Sequence, residues 1–276
     1  MMKLMQLIFF SFSCVLMLPA QNNSLKAEVT TDEFGRLQVN VSPKDVSRLL
    51  NQGFVTYADL GAKGDGKSDD MNAIAATHAF ANQHRLTVKA NHRSTYYIGG
   101  KERTAIVQTD TDFGTATFII DDTNVQNRNA SIFIISSSLQ SYKPKGITSL
   151  KKNQEKIDAS FPGSCLVTVT NSKIKRDIRF GLNQHNGSPQ TDIFVVDKNG
   201  RVDMNAPIVW DFDEITDMVA LPMDDTTLKI TGGRFTTIAN NAESKYTYYS
   251  RNIAVRRSHV IIDGLEHYVT EEGDQG

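Results

Sequence analysis

Residues 54–81 constrain this chain more than any other stretch: F-V-T-Y-A-D-L-G-A-K-G-D-G-K-S-D-D-M-N-A-I-A-A-T-H-A-F-A. Phe54, Val55 and Tyr57 carry strand-type side chains. Gly61, Gly64 and Gly66 permit the positive φ angles of a tight reversal. Ser68, Asp69 and Asp70 are helix-start residues, because their oxygens accept from the free N–H groups of a first turn. Met71, Ile74, His78 and Ala81 then recur at helical spacing. The expectation is a strand, a glycine-rich turn and a helix.

Gly61 to Ser68, G-A-K-G-D-G-K-S, also fits the phosphate-loop pattern G-x-x-x-x-G-K-[ST]. Ile193-Phe194-Val195-Val196-Asp197 could then pass for the apolar strand that ends in a metal-holding Asp. Charge argues against it. A phosphate cradle offers bare N–H groups and positive charge, whereas Asp65, Asp69 and Asp70 would compete for those donors and repel a nucleotide. A nucleotide-binding α/β fold also needs strands alternating with helices, and little helical periodicity follows residue 81.

Residues 55–74, V-T-Y-A-D-L-G-A-K-G-D-G-K-S-D-D-M-N-A-I, resemble the N-terminal signature of the pectate lyase superfamily, departing at Leu60 and Ser68, with His78 a further departure beyond. The resemblance implies an all-β, right-handed parallel β-helix (pectin-lyase-like) with a short N-terminal capping helix. The stretch is architectural in that family and says little about activity.

Upstream, residues 1–20 have the shape of a signal peptide: Lys3, an apolar run from Leu4 to Leu18, then Pro19-Ala20. The run is too short for a membrane span. Cys14 sits within it behind Ser11-Phe12-Ser13, a poor lipidation signal. A secreted, periplasmic or cell-surface protein is expected. Residues 21–37 read as a polar segment without fixed structure. Ser42-Pro43-Lys44-Asp45 reads as a helix start, Val46, Leu49 and Leu50 as its apolar stripe, and Gly53 as its end. The expected organisation is a signal peptide over 1–20, an extension with a short helix over 21–52 and a β-helix over 53–276, the last resembling the N-terminal part of a longer protein.

Past residue 81 the pattern is β: 95–98, 105–107, 117–120, 132–135, 166–169, 193–196, 208–210, 228–230, 253–255 and 260–262, punctuated by turn residues. Such a series means a sandwich, barrel or solenoid. A solenoid is favoured by one repeat: Leu228-x-Ile230-x-Gly232 returns 32 residues later as Val260-x-Ile262-x-Gly264. Cys165, the one cysteine left without the leader, has apolar neighbours and reads as an inert buried thiol. Losing Lys3 from 30 basic residues leaves 29 against 31 acidic ones, which calls for neither nucleic acid nor an anionic membrane.

By the same resemblance, the protein is expected to act on polysaccharide as a glycoside hydrolase or lyase, on a uronic-acid-containing or other complex glycan. The hydrolase motifs N-T-D, D-D, G-H-G and R-I-K are absent as a set, and Asp121-Asp122 and Asp224-Asp225 are bare D-D pairs. The densest acidic run is Trp210-Asp211-Phe212-Asp213-Glu214-Ile215-Thr216-Asp217. If it is extended, Trp210 and Phe212 share one face and Asp211 and Asp213 the other. Asp211, Asp213 and Glu214 are the candidate catalytic carboxylates, and Asp211 with Asp213 could hold Ca²⁺. The plainer reading is a solvated acidic edge. Tyr246, Tyr248, Tyr249 and Arg251 form an aromatic–basic patch; Tyr248, Tyr249 and Arg251 are the candidate sugar-binding residues. The six His residues lack metal-ligand spacing. The alternative from another class is a non-catalytic glycan-binding, adhesin or tailspike-like β-helix, which a face of aromatics and amides without an acid pair would favour.

Overall fold

The computed structural model describes residues 24–33, 35–100, 103–127, 130–182, 184–242 and 251–272. The leader and the tyrosines of the aromatic–basic patch lie outside these. In chain order the elements are β1 (Glu28–Thr31), β2 (Leu37–Asn40), α1 (Pro43–Gln52), β3 (Phe54–Thr56), β4 (Asp65–Asp69), α2 (Met71–His84), β5 (Thr87–Lys89), β6 (Thr95–Ile98), β7 (Ala105–Val107), β8 (Thr111–Asp121) and β9 (Phe133–Ser136). Then follow β10 (Cys165–Arg176), β11 (Ser188–Val196), β12 (Asp217–Pro222), β13 (Leu228–Ile238), β14 (Ile253–Arg256), β15 (Val260–Asp263) and β16 (Glu266–Thr270).

The fold is mostly β and partly helical. An open, strongly curled parallel sheet is accompanied by separate smaller sheets. Its strands lie on two tracks. β3, β5, the first part of β8, the first part of β13 and β15 pair side by side in parallel. So do β4, β6, the second part of β8, the second part of β13 and β16. A third parallel track holds β7, β9 and β14. Each pass of the chain therefore adds neighbours to strands already laid down.

β8 and β13 run through both tracks and turn the corner at glycines. Gly232 lies opposite Gly114 in register, with φ +68° and +50°. The sequence repeat is this geometry: Leu228 pairs with Val260 and Ile230 with Ile262, and Gly264 follows at the same corner with φ +66°. Asp112 braces the corner by accepting from the Gly114 N–H (2.9 Å) and the Thr231 hydroxyl (3.1 Å).

Alternate residues of these strands face a shared core that is unusually aromatic. Phe118 and Phe235, on neighbouring strands, stack at 4.5 Å and 9°, and Phe113 meets both edge-on at 5.2 Å. Tyr57, Tyr96 and Phe133 complete the cluster. α2 lies against β2, β3, β5 and β7 and buries Met71, Ile74, Phe80 and Ala81 completely.

His78, on α2, is also fully buried. Its Nε2 contacts the Tyr57 hydroxyl at 2.9 Å, and its Nδ1 has no partner. Burial lowers its pKa from 6.5 to about 3. Between those values the unfolded chain binds the proton and the folded one does not. Stability is therefore complete above the unfolded pKa and falls with pH, by about 1.4 kcal/mol per pH unit. Denaturation midpoints measured through that window should show the slope in the native protein and lose it in His78→Gln. An unchanged slope in the variant would assign the acid sensitivity elsewhere.

The local expectations hold for α1. The Ser42 hydroxyl accepts from the Asp45 N–H (3.2 Å), Pro43 opens the helix and Gly53 closes it at φ +79°. The start of α2 differs in detail. Ser68 and Asp69 belong to β4, and Asp69, one residue before the N-cap, accepts from the Met71 N–H (3.0 Å). Glu28–Thr31 and Leu37, within the segment 21–37 expected to lack structure, belong to the antiparallel β1–β2 hairpin, which runs on to Asn40.

A larger difference lies between β9 and β13. Residues 137–227 leave the parallel tracks. β10 pairs antiparallel with both β11 and β12, over a core of its own built on Val167, Val169, Phe194, Phe212 and Ala220. Strands 166–169 and 193–196 were expected as solenoid strands and instead face each other in this antiparallel sheet. Residues 208–210 form no strand; Asp192 pins them by accepting from the Val209 N–H (2.7 Å). Cys165 is buried in this second core, and burial raises its thiol pKa.

Candidate functional site

The glycine-rich turn between β3 and β4 has its donors occupied. The Asp70 carboxylate, 3% exposed, accepts from the N–H groups of Lys63 (2.7 Å) and Gly64 (3.0 Å). Asp65 accepts from Ser68 (2.7 Å) and Lys67 (2.9 Å), and these bonds lower its pKa to about 2. The carboxylates thus take the places a phosphate would need. The motif match reflects a turn that binds its own acids.

Asp211, Asp213 and Glu214 lie in the loop before β12, and the loop is not extended as the alternation rule assumed. Phe212 is fully buried and bridges to Leu150, while Trp210 is 40% exposed, so the two rings do not share a face. Trp210 instead lies under the Arg176 guanidinium, 4.3 Å from the ring centre. Asp211 accepts from the Lys152 N–H (2.9 Å), Asp213 pairs with Lys151 (2.6 Å) and Glu214 with Lys173 (2.6 Å). A lysine stands at each position where Asp213 and Glu214 would meet a cation. Among the described residues no group of three or more His, Cys, Asp or Glu is placed to hold a metal. These residues do not fit Ca²⁺. The ion pairs are exposed and screened, so Lys151→Ala should leave the melting temperature unchanged within error; a clear drop would show that the pair organises the loop.

Tyr248 and Tyr249 lie outside the described residues. Arg251 is buried. Its guanidinium pairs with Asp122, both side chains 2% exposed, and donates to the Gly99 carbonyl at 2.5 Å. Neighbouring Asp121 accepts from the Tyr97 hydroxyl (2.6 Å), and this bond, with burial second, raises Tyr97 to about 12. Arg251 thus ties β14 to the turns after β6 and β8, and its charge is spent inside the protein.

A groove of about 800 Å³ runs between the β1–β2 hairpin, α2, β7 and the loop after β9. Its polar lining is amide-rich: Gln38, Asn82, Gln83, Gln108 and Gln140, with Arg36, Arg103 and Thr104. No carboxylate is among the described residues that line it. Leu37, Ala75, Ala79 and Ile106 supply an apolar floor. Several amides are held in place. Asn82 donates to the Ile106 carbonyl (2.7 Å) and accepts from the Gln108 N–H (3.0 Å), clamping α2 to β7. Gln83 donates to Gln38 (2.5 Å), and Gln108 donates to the Ser137 carbonyl (3.0 Å). Among the described residues this leaves Gln38 Nε2 as a donor, and Gln108 Oε1 and Gln140 Oε1 as acceptors, without partners. Amides carry both donors and acceptors, as sugar hydroxyls do, and guanidinium groups match carboxylates in bidentate geometry. Sequence reasoning missed this groove. Its residues come from four separated segments, and none carries a motif.

No protein-family model matches the sequence, and no curated protein matches it either. Among solved structures, the chain is similar to the Gp54 tailspike of Acinetobacter baumannii bacteriophage AP22 in complex with A. baumannii capsular saccharide. The identity is 13% and the TM-score 0.38, over 87% of this chain and 39% of that one. The resemblance is remote and partial, and the chain spans only 39% of the tailspike's length.

Proposed function

We propose that this protein is an exported parallel β-helix that binds polysaccharide along the amide-lined groove and does not itself cleave it. The observation that carries the reading is the chemistry of that groove: fixed amides, with Arg103 beside them, above an apolar floor, and no acid pair among its described lining. Glycoside hydrolysis needs two opposed carboxyl groups, whereas binding needs only matched donors, acceptors and a surface for the ring faces. Arg103 favours a uronic-acid-containing glycan; Arg36 already pairs with Asp32 (2.8 Å). The right-handed β-helix of the pectate lyase superfamily is the architecture proposed for the three parallel tracks, with α2 as its cap. It is supported by the resemblance of residues 55–74 and by the glycine corner. Export is proposed from residues 1–20, and N-terminal sequencing of the secreted protein should begin at Gln21.

The test is a microarray of neutral and uronic-acid polysaccharides, followed by calorimetry on the tightest binder. Reducing ends and unsaturated products are assayed in the same samples. Gln38→Ala and Arg103→Ala are each expected to weaken binding about tenfold, as loss of a hydrogen bond to a charged or well-placed group would, with no product released. Release of product would instead support the hydrolase or lyase reading, with Asp211, Asp213 and Glu214 as its candidates.

A further inference from the structure

The loop after β9, residues 137–140, contributes to the lining of two cavities. One is the groove. The other, between the antiparallel sheet and the parallel tracks, is a cleft of about 600 Å³, and Gln140 lines both. That volume falls in the range of small-ligand sites, about 300–1,000 Å³. Leu139, Pro162, Val195 and Met223 make its walls apolar.

The polar lining of the cleft is Asp224, 9% exposed, with Asp225, His259 and Ser164 beside it. Its Oδ1 accepts from the Ser137 hydroxyl (3.0 Å) and pairs with Arg257 (3.2 Å), and its own N–H donates to the Ser258 hydroxyl (2.8 Å). Its Oδ2 is buried and has no partner. Tyr142 also lines the cleft, and its hydroxyl is buried without a hydrogen bond; the nearby Cys165 thiol is only a weak partner. A buried carboxylate oxygen without a donor is costly, and the residue that carries it lines a cavity.

We infer that this cleft is the end pocket of the groove and takes the terminal sugar of the glycan, one of whose hydroxyls donates to Asp224 Oδ2. The inference rests on the glycan-binding reading. Several features select a sugar over a cation. Arg257 already balances the Asp224 charge, and no set of three metal-ligating side chains is present among the described residues. Ring hydroxyls donate and accept at once, so neighbouring ones can serve both Asp224 and Tyr142. The apolar walls suit the C–H faces of a ring.

The experiment uses the full chain and oligosaccharides cut from whichever array polysaccharide the wild type binds, with their chain ends either native or chemically blocked. The wild type is expected to prefer native ends. Asp224→Asn should lower affinity for native-ended fragments about tenfold and abolish the preference. Gly163→Leu provides a second variant. Gly163 lines the cleft, and no heavy atom lies within 4 Å of where its Cβ would stand. The added side chain narrows the cleft and leaves the Asp224 and Arg257 side chains unaltered in the sequence, so it reads out even if Asp224→Asn misfolds. If both variants bind native-ended fragments like the wild type while Gln38→Ala binds weakly, the end pocket is overturned and the groove stands. Equal wild-type affinity for native and blocked ends also overturns it. If the wild type binds no glycan, both readings fall.

Discussion

Gly232→Ala is expected to destabilise the protein by about 3–5 kcal/mol, the sum of left-handed backbone strain and an overlap that cannot relax. A Cβ on Gly232 would stand 2.4 Å from the Gly114 carbonyl oxygen and 2.9 Å from the Gly114 nitrogen. Both are backbone atoms of the adjacent strand, and no rotamer can move them aside. With φ at +68°, the new side chain would also be strained in free space. Either β8 and β13 separate at the corner, losing hydrogen bonds along two tracks, or the residue turns over and breaks the bend. Gly146→Ala is the control. Its φ is +83°, and nothing lies within 4 Å of its would-be Cβ, so it should show only the strain, about 1 kcal/mol. Urea unfolding of the two variants measures the difference. Equal losses would mean that the corner glycines are not in contact.

The second large effect is at the buried ion pair. Arg251→Met leaves the Asp122 carboxylate in a site that is 2% exposed, with its charged partner gone. Removing one member of such a pair costs about 3–5 kcal/mol, because the other charge stays desolvated. Burial already raises the Asp122 pKa despite the guanidinium beside it, so the site would take up a proton before tolerating a bare charge. Replacing both members, Arg251→Met with Asp122→Leu, should recover most of the loss, since two apolar groups of similar size leave no charge behind. A double-mutant cycle in urea provides the coupling. An additive cycle would mean that the pair is not formed. The Gly99 carbonyl, which also loses its donor, is expected to keep recovery short of complete.

These two sites differ in how far the sequence disclosed them. The corner was legible because its cause is local: only glycine turns there, and the apolar alternation before Gly232 and Gly264 repeats in step. The matching corner at Gly114 was missed. Residues 137–227 separate it from its partner strand, and Thr111 and Phe113 do not repeat the aliphatic pattern. The antiparallel sheet was hidden for a related reason. Alternation of apolar and polar residues marks a strand but not the direction of its neighbour. An extended backbone over residues 210–213 would have put the aromatics on one face and the acids on the other. The backbone there instead makes one bridge through Phe212 and turns Trp210 outward.

Arg251 was identifiable only as a cation near tyrosines. That its charge is spent on Asp122, 129 positions away in the chain, depends on the stacking of passes and not on any nearby residue. The groove was the least visible of all. Gln38, Asn82, Gln108 and Gln140 are common surface residues when read singly. They become a site because a hairpin, a helix, a strand and a loop converge on one cavity.

The most direct test of the glycan groove is hydrogen exchange of the full chain, with and without a saturating fragment of the polysaccharide it binds on the array. The account predicts slowed exchange in β2, at the C-terminal end of α2 and around β7, where the groove residues lie, and little change at residues 210–217. Protection confined to 210–217, or none in the groove segments, would contradict it.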